Sequence, residues 1–311
     1  MKRTLEAAAR LASTAVCLLF LTPAAPAQEA LRWGADPSGG APYVYADPSH
    51  PDTYIGYEVE IADALAKAMG RRAVFVPTDW ETIVQALQRG AFDVVLDGLE
   101  PTEDRARQIL FSKPYYVFNL QLTVRKGETR IGSLEDCRHR VVGTLSNTAA
   151  SRLMEKQGIP FRGYADPVGA YRDLELGRID AVLMDVPMEM FYARSNPRLK
   201  PAGEPFYKGV YVLGLRKGDE KLKAEVDAAV DKIVNDGSLE TILRKWSLWN
   251  DAQLELRAAS NPNGGAAAGE SSGVKFEMTS ATFNWRGAIL RLTQAAGVTV
   301  LIAFGSMFIA L

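Results

Sequence analysis

The sequence predicts an α/β protein in which two lobes enclose a hinged cleft. Between residues 31 and 249, short apolar runs alternate with amphipathic stretches, which is the pattern of strands and helices in βαβ units. One α/β unit is followed by a second and then by a return to the first, so two chain segments must cross between them. Apolar residues make up 47% of the 311 residues and charged residues 23%, as is typical of globular proteins.

The first unit has the order strand, helix, strand, helix, strand. These elements are predicted at residues 31–35, 57–69, 73–76, 79–89 and 93–96. Thr78 and Glu81 have the spacing of a capping box, with Thr78 as the N-cap of the second helix. This order predicts a parallel sheet, in which ligands bind at the carboxyl ends of the strands.

The second unit repeats the alternation and is followed by a long amphipathic helix. Strands are predicted at residues 115–124, 141–143, 181–184 and 209–215, and helices at residues 148–157, 166–176 and 222–246. The return of the chain after residue 209 predicts that the last helix packs on the first unit.

Composition excludes several classes of function. Lys and Arg number 36 against 37 Asp and Glu, so the chain lacks the basic field that nucleic-acid binding requires. His50 and His139 are the only histidines and lie in unrelated contexts, which argues against a histidine-liganded metal. The sequence has no glycine-rich dinucleotide or phosphate loop and no paired-cysteine motif, so we expect neither a cofactor nor a metal.

The two ends differ in character from the middle. Residues 1–27 combine basic residues, an apolar run and an A-x-A pattern, as in a secretory signal peptide. Residues 250–284 include a run rich in Ala, Gly, Ser and Asn and are predicted to be a flexible linker. Residues 285–311 contain an uncharged run from 292 to 311, long enough to cross a bilayer of about 30 Å. We therefore expect a transmembrane helix there.

An ordered series of short motifs carries a family resemblance. The motifs are Ile55-Gly56-Tyr57-Glu58-Val59-Glu60-Ile61, Trp80, Gly90-Ala91-Phe92-Asp93, Thr102-Glu103-Asp104-Arg105, Phe111-Ser112-Lys113-Pro114-Tyr115, Gly177-Arg178-Ile179-Asp180-Ala181 and Asp185. The series resembles the solute-binding proteins of polar amino-acid ABC importers, family 3 periplasmic binding proteins, from about residue 31 to 249.

The resemblance implies the type II periplasmic-binding-protein fold over residues 28–249. It implies a first lobe of about residues 30–119 and 210–249 and a second lobe of about 120–209. The C-terminal segment is similar to the first membrane helix of an amino-acid ABC permease. The segment is therefore expected to be either an anchor or the start of a permease domain.

The resemblance also assigns roles to individual residues. Arg105 matches the arginine that binds the ligand carboxylate, a task that suits the guanidinium fork. Asp185 matches the carboxylate that binds the ligand ammonium, and it is equally placed to cap a helix. Thr148, at a predicted helix start, is expected to donate to an anion or to act as a simple cap. Trp80, Tyr43 and Tyr45 are expected to line the pocket.

Two departures from the family suggest a different ligand preference. Glu100 stands where the family has a small hydroxyl residue, and Asp97-Gly98 precede it closely. The family's aromatic residue near the first strand falls within residues 38–40, which are Ser-Gly-Gly. A carboxylate beside a bound carboxylate is repulsive. We therefore expect a roomier, acidic cleft that favours a basic amino acid or another cationic polar solute. Alternatively, Glu100 pairs with Arg105 and turns outward.

The resemblance implies a binding component of an ABC importer rather than an enzyme. The expected partners are a small amino acid, a permease with its ATPase subunit, and the membrane through the last helix. The expected location is the periplasm, tethered to the inner membrane. Two alternatives remain open. One is an enzyme like cyclohexadienyl dehydratase, with Asp97 and Glu100 as acid and base. The other is a tethered amino-acid sensor.

Overall fold

The computed structural model describes residues 28–260, which contain ten strands. The strands are β1 (Ala30–Ala35), β2 (Tyr45–Asp47), β3 (His50–Ile55), β4 (Arg72–Pro77), β5 (Val94–Val95), β6 (Ile109–Arg125), β7 (Val142–Leu145), β8 (Phe161–Tyr164), β9 (Ala181–Asp185) and β10 (Leu199–Arg216). Eight of them form one sheet in the order β4–β1–β5–β10–β6–β9–β7–β8, and β2 and β3 form a separate hairpin.

Nine α-helices lie in the same range and pack against this sheet. They are α1 (Tyr57–Ala68), α2 (Ile83–Gln88), α3 (Glu103–Ala106), α4 (Ala149–Gln157), α5 (Pro167–Glu175), α6 (Val186–Tyr192), α7 (Glu220–Asn235), α8 (Ser238–Lys245) and α9 (Leu254–Ser260). Three short 3₁₀-helices cover Trp80–Thr82, Glu135–Cys137 and Asp251–Gln253.

The two longest strands hold the sheet together. Strands β6 and β10 pair antiparallel from Ile109 with Arg216 to Arg125 with Leu199, with several register shifts between. On one side β1 pairs parallel with β4 and β5, and on the other β7 pairs parallel with β8 and β9. We call the side of β4, β1 and β5 the first half and the side of β9, β7 and β8 the second half. The predicted α/β architecture is confirmed.

Burial explains why these segments form strands. The inner part of β6 reads Tyr-Tyr-Val-Phe and is almost fully buried, as expected for a strand covered on both faces. Tyr211 of β10 stacks on two rings of β6. One is Phe118, with ring centroids 4.5 Å apart, and the other is Tyr116. The layer reaches the cleft described below through the hydroxyl of Tyr211, which donates to the cleft residue Asp185.

The predicted capping box at Thr78 is wrong. The 3₁₀-helix begins after Asp79 and has no side-chain cap, and the Thr78 hydroxyl donates to the carbonyl oxygen of Val76 at 3.4 Å. The cap comes from another strand, because Asp36 Oδ2 accepts from the backbone nitrogen of Trp80 at 2.9 Å. Parallel pairing of β1 with β4 brings the two strand ends together.

The segments predicted at the two ends of the chain lie only partly within the described residues. The predicted signal peptide, the transmembrane segment 285–311 and most of the linker lie outside residues 28–260. Within that range no helix is both long and apolar enough to span a bilayer. Residues 251–260 fold into a 3₁₀-helix and α9, so the predicted linker does not begin at residue 250. They are held because the side chain of Gln253 accepts from the nitrogen of Val117 and donates to its carbonyl oxygen.

Glu58 anchors the loop that follows β5. It is fully buried at the start of α1, and its Oε1 accepts from the backbone nitrogen of Gly98 at 2.9 Å and from the hydroxyl of Tyr115 at 2.5 Å. Its Oε2 has no hydrogen-bond partner. Burial raises the pKa of Glu58 to about 7 because the charged form loses its hydration, while the two hydrogen bonds oppose the shift. The carboxyl group therefore takes up a proton on folding at pH 5–6.

We expect Glu58 to make the protein less stable as pH rises. Its pKa is about 7 folded against 4.5 unfolded, so stability falls between these pH values by about 3 kcal/mol. Glu58→Gln keeps an oxygen that accepts both hydrogen bonds and removes the titration. Urea unfolding of wild type and variant at pH 5 and pH 8 measures the difference. An identical pH dependence in both proteins would contradict this assignment.

Gly56 is predicted to be irreplaceable at the junction of β3 and α1. It has φ of +149°, and a Cβ atom there would lie 1.9 Å from the carbonyl oxygen of Tyr43. We expect Gly56→Ala to lower the free energy of unfolding by about 4 kcal/mol or more. Gly70 is a matched control, because its φ is +70° and nothing lies within 4 Å of the added Cβ. Gly70→Ala should cost about 1–2 kcal/mol, and equal losses in urea unfolding would refute the steric argument.

Candidate functional site

A cleft that encloses about 500 Å³, counting the solvent at its open mouth, lies where the two halves meet. The walls come from strand ends, helix starts and the loop after β5. The lining residues are Asp36, Ser38, Gly39, Gly40, Tyr43, Trp80, Asp97, Gly98, Glu100, Leu145, Thr148, Ala165, Pro167, Asp185 and Met188.

Glu100 and Arg105 form a buried ion pair at one wall. Arg105 Nη1 donates to Glu100 Oε2 at 2.8 Å and to the backbone oxygen of Glu100 at 3.0 Å. The side chain of Arg105 is only 8% exposed and that of Glu100 only 11%. The hydrogen bond from the backbone nitrogen of Arg105 to the N-cap Thr102 fixes the start of α3 and hence the guanidinium. Glu100 therefore pairs with Arg105, as in one of the two arrangements that the sequence left open, but it lines the cleft rather than turning outward.

The same pair reaches into the second half. Glu100 Oε1 accepts from the backbone nitrogen of Ala149, the first residue of α4, at 2.9 Å. Arg105 Nη2 donates to the carbonyl oxygen of Asn147 at 3.2 Å. The helix start carries a partial positive charge, so it suits a carboxylate. Glu100 thus joins a guanidinium of one half to a helix start of the other.

Trp80 lies across Arg105 and also bridges the halves. The guanidinium carbon of Arg105 stands 4.8 Å from the ring centroid of Trp80, as in a cation–π contact. Trp80 Nε1 donates to the carbonyl oxygen of Ser146 at 3.2 Å. Asp36 holds the backbone of Trp80 from β1. The Trp80 indole therefore lies between the Arg105 guanidinium, the carbonyl oxygen of Ser146 and the cleft.

Asp185 ends β9 and caps α6 at the opposite wall. Its Oδ1 accepts from the nitrogen of Met188 at 3.2 Å, and its Oδ2 accepts from the hydroxyls of Tyr43 and Tyr211, both at 2.5 Å. Burial raises the pKa of Asp185, whereas the hydroxyl and backbone donors act in the opposite direction. Both functions predicted for this position, capping and a carboxylate in the cleft, are thus geometrically compatible.

Asp97 and Asp36 add two further carboxylates to the cleft. Asp97 Oδ2 accepts from the nitrogen of Asp36 at 3.1 Å, while the Asp36 oxygens accept from the nitrogens of Ser38 and Trp80. Burial raises the pKa of Asp97 well above its usual range, and the nearby Glu58 carboxylate adds to the effect. Within residues 28–260, no Lys, Arg or His nitrogen lies within 4.0 Å of the carboxylates of Asp36, Asp97 and Asp185.

Thr148 acts in this structure as a helix cap. Its hydroxyl donates to the carbonyl oxygen of Leu145 at 2.9 Å and accepts from the nitrogen of Ser151 at 3.3 Å. Ser151 completes the capping box by accepting from the nitrogen of Thr148. The anion near this helix start is held by the backbone nitrogen of Ala149 rather than by the Thr148 hydroxyl.

The loop glycine Gly98 lies against Tyr43. A Cβ atom at Gly98 would stand 2.8 Å from the Tyr43 ring, and its φ is +55°. Tyr43 is 2% exposed and its hydroxyl donates to Asp185. Because Gly98 has no side chain, the Tyr43 ring fits between Gly98 and Asp185. Tyr45 lies elsewhere and packs against Phe191 and Trp246.

The structure brings the predicted site residues to one place, and their role in binding stays a prediction. Seven line the cleft and Arg105 lies directly behind Glu100. Sequence reasoning missed Asp36, Tyr211 and the Ala149 nitrogen. Asp36 follows a predicted strand at its carboxyl end, which is a usable signal for a site residue. Tyr211 lies inside an apolar strand run and offers no such signal.

The acidic residues do not form a metal-binding cluster. In the part of the chain that the structure describes, no group of three or more His, Cys, Asp or Glu side chains is arranged to hold a metal ion. Cys137 is a buried free thiol whose pKa burial raises to about 11, so it is not a nucleophile at neutral pH.

Several characterised bacterial proteins are similar in sequence. The L-cystine-binding protein TcyJ of Escherichia coli K12 is 33% identical over 195 residues, which cover 61% of this chain and 73% of that protein. The lysine/arginine/ornithine-binding periplasmic protein of the same strain is 26% identical over 242 residues, covering 71% of this chain and 89% of the relative.

Solved structures and a family model agree with these relatives. An ancestral arginine-binding protein bound to arginine is 31% identical and superposes with a TM-score of 0.64, covering 71% of this chain and 99% of that one. The family model of the bacterial extracellular solute-binding proteins, family 3, matches residues 31–248. That match spans more than half of the chain and includes every cleft residue described above, and the chain therefore belongs to the bacterial extracellular solute-binding proteins, family 3.

Proposed function

We propose that this protein is the extracytoplasmic binding component of an ABC importer and captures a small polar cation of the amino-acid type, with basic amino acids as first candidates. The observation that carries the charge preference is the set of three carboxylates, Asp36, Asp97 and Asp185, that face the cleft without a cationic partner in the described range. The solute-binding role itself follows from the family.

The energetics of these carboxylates favour a positively charged ligand. Each accepts hydrogen bonds from backbone or tyrosine donors. Burial raises the pKa of Asp97 and of Asp185, so a cation beside them would stabilise their charged forms. A cation placed between Asp97 and Asp185 interacts favourably with both, because opposite charges attract strongly where water is excluded. An acidic amino acid would instead add a carboxylate to a site that already contains several.

The relatives support the same charge class. One is described as binding lysine, arginine and ornithine, and an ancestral relative was solved with arginine bound. TcyJ is described as binding L-cystine, so the family also accepts ligands that lack a net positive charge. The preference for a cation therefore rests on the cleft of this chain more than on its relatives.

In the proposed mechanism, two lobes close over the ligand. We assign residues of about 30–119 and 210–249 to one lobe and about 120–209 to the other. Contacts such as Ala149 with Glu100 exist only when the lobes meet, so they favour the closed state. The closed protein would then dock on a permease with its ATPase subunit in the periplasm. A signal peptide over residues 1–27 and a tether over 285–311 stay predictions.

Catalysis by Asp97 and Glu100 is the weaker candidate. Both Glu100 side-chain oxygens already accept hydrogen bonds, from Arg105 and from the backbone of Ala149. A carboxylate fixed in this way is poorly placed to exchange protons with a substrate. Incubation with prephenate or arogenate, followed by chromatography, separates the possibilities, because a binding protein returns its ligand unchanged. The sensor alternative rests on no feature of the described residues.

Charge selectivity is the first expected property of the cleft. The full chain is titrated in an isothermal calorimeter with four cations (lysine, arginine, agmatine and cadaverine) and with glutamine, glutamate and aspartate. At least one of the four cations should bind. Glutamate and aspartate should bind at least 100-fold more weakly, because four cleft carboxylates repel them. Tightest binding by glutamate or aspartate would refute the proposal.

Asp185 is expected to carry much of the affinity for a cation. Asp185→Asn keeps the helix cap and removes the charge, and should weaken binding of the preferred cation at least tenfold, or about 1.4 kcal/mol. Asp236→Asn is a matched control, because Asp236 also accepts from a backbone nitrogen near a helix start, is exposed and does not line the cleft. Unchanged affinity in Asp185→Asn, measured by the same titration, would remove Asp185 from the site.

A further inference from the structure

A carboxylate of the protein itself fills the anion-binding position of the cleft. Arg105 Nη1 and the backbone nitrogen of Ala149 approach Glu100 from the two halves, at 2.8 and 2.9 Å. One is a guanidinium and the other the first peptide nitrogen of the nine-residue helix α4. Together they provide the two kinds of donor that bind carboxylates best. A free amino acid would need these donors for its own carboxylate.

A ligand carboxylate would have to displace Glu100 from them. Glu100 belongs to the chain and loses no translational freedom in binding, so it competes at a high effective concentration. Its side chain is 11% exposed, and the guanidinium is held further by the carbonyl oxygens of Glu100 and Asn147.

The cleft offers no second cation for a ligand carboxylate. No Lys, Arg or His is among the residues that line it in the described range. Trp80 Nε1 already donates to Ser146, and the hydroxyls of Tyr43 and Tyr211 already donate to Asp185. These indole and phenol donors are thus engaged, whereas carboxylate acceptors are in excess.

We propose that the preferred ligand is a cation without a carboxylate, an inference that rests on the function proposed above. Such a ligand is an alkylamine, diamine or guanidino compound of the size of a decarboxylated basic amino acid. Its charged nitrogen lies between Asp97 and Asp185. Glu100 stays in its ion pair and takes the place of the carboxylate that an amino acid would bring.

Ligand pairs that differ only in the carboxylate test this directly. Agmatine is compared with arginine, and cadaverine with lysine, by isothermal titration of the full wild-type chain at neutral pH. We expect the amine to bind at least tenfold more tightly than the amino acid in at least one pair. Equal or tighter binding by the amino acids in both pairs overturns this inference and leaves the proposed function standing.

Exchange of Glu100 should move the preference toward amino acids. Glu100→Thr frees Arg105 and the Ala149 nitrogen, so the amino-acid-to-amine affinity ratio should rise at least tenfold. Glu103→Thr is the control, because it removes the same charge from the adjacent helix α3 but not the partner of Arg105. An unchanged ratio in a folded Glu100→Thr protein contradicts the inference. If that variant does not fold, the wild-type pairs decide alone.

The panel also separates failure of the two proposals. If none of the four cations binds while glutamine, glutamate or aspartate does, the charge preference is wrong and this inference falls with it. If arginine and lysine both bind at least as tightly as their amines, only the inference is wrong. Binding of agmatine or cadaverine at least tenfold tighter than that of its amino acid supports both.

Discussion

The hydrogen-bonded position of Glu100 organises the cleft. Its two oxygens accept from a guanidinium of the first half and from a peptide nitrogen of the second, so one carboxylate links parts of the chain 49 residues apart. Trp80 then packs over the guanidinium and reaches Ser146 across the same gap. Removal of the carboxylate would leave a buried cation and a buried helix start without their partner, an arrangement that folded proteins avoid.

Charge in the cleft is balanced only at this one wall. Glu100 has Arg105, whereas Asp36, Asp97 and Asp185 have backbone and tyrosine donors but no cation in the described range. Hydrogen bonds reduce the cost of burying a carboxylate without cancelling its field. Burial is the main cause of the raised pKa values of Asp97 and Asp185, and neighbouring carboxylates add to it. A site with such a field favours positive ligands before any specific contact is made.

Local patterns were sufficient for much of the fold, and the family motifs supplied much of the site. The alternation of apolar runs gives the strands and helices, whereas Arg105 and Asp185 were chosen because they match residues of the family. The cap of Trp80 could not be predicted, because Asp36 supplies it from the end of a neighbouring strand and Thr78 has the better local spacing. Tyr211 and Glu58 were missed for a similar reason: their partners are distant in sequence and are brought near only by the tertiary fold.

The bond between Glu100 and Ala149 has a consequence for cargo discrimination. Because the chain supplies both partners, this bond favours closure to the same extent for every cargo that leaves Glu100 in place. Among such cargoes the bond distinguishes none, and preference comes from the opposite wall, where two tyrosine hydroxyls hold Asp185. A cargo that brings its own carboxylate would have to break the bond and would lose this contribution to closure. The bond therefore holds the two halves together and also disfavours cargoes with a carboxylate.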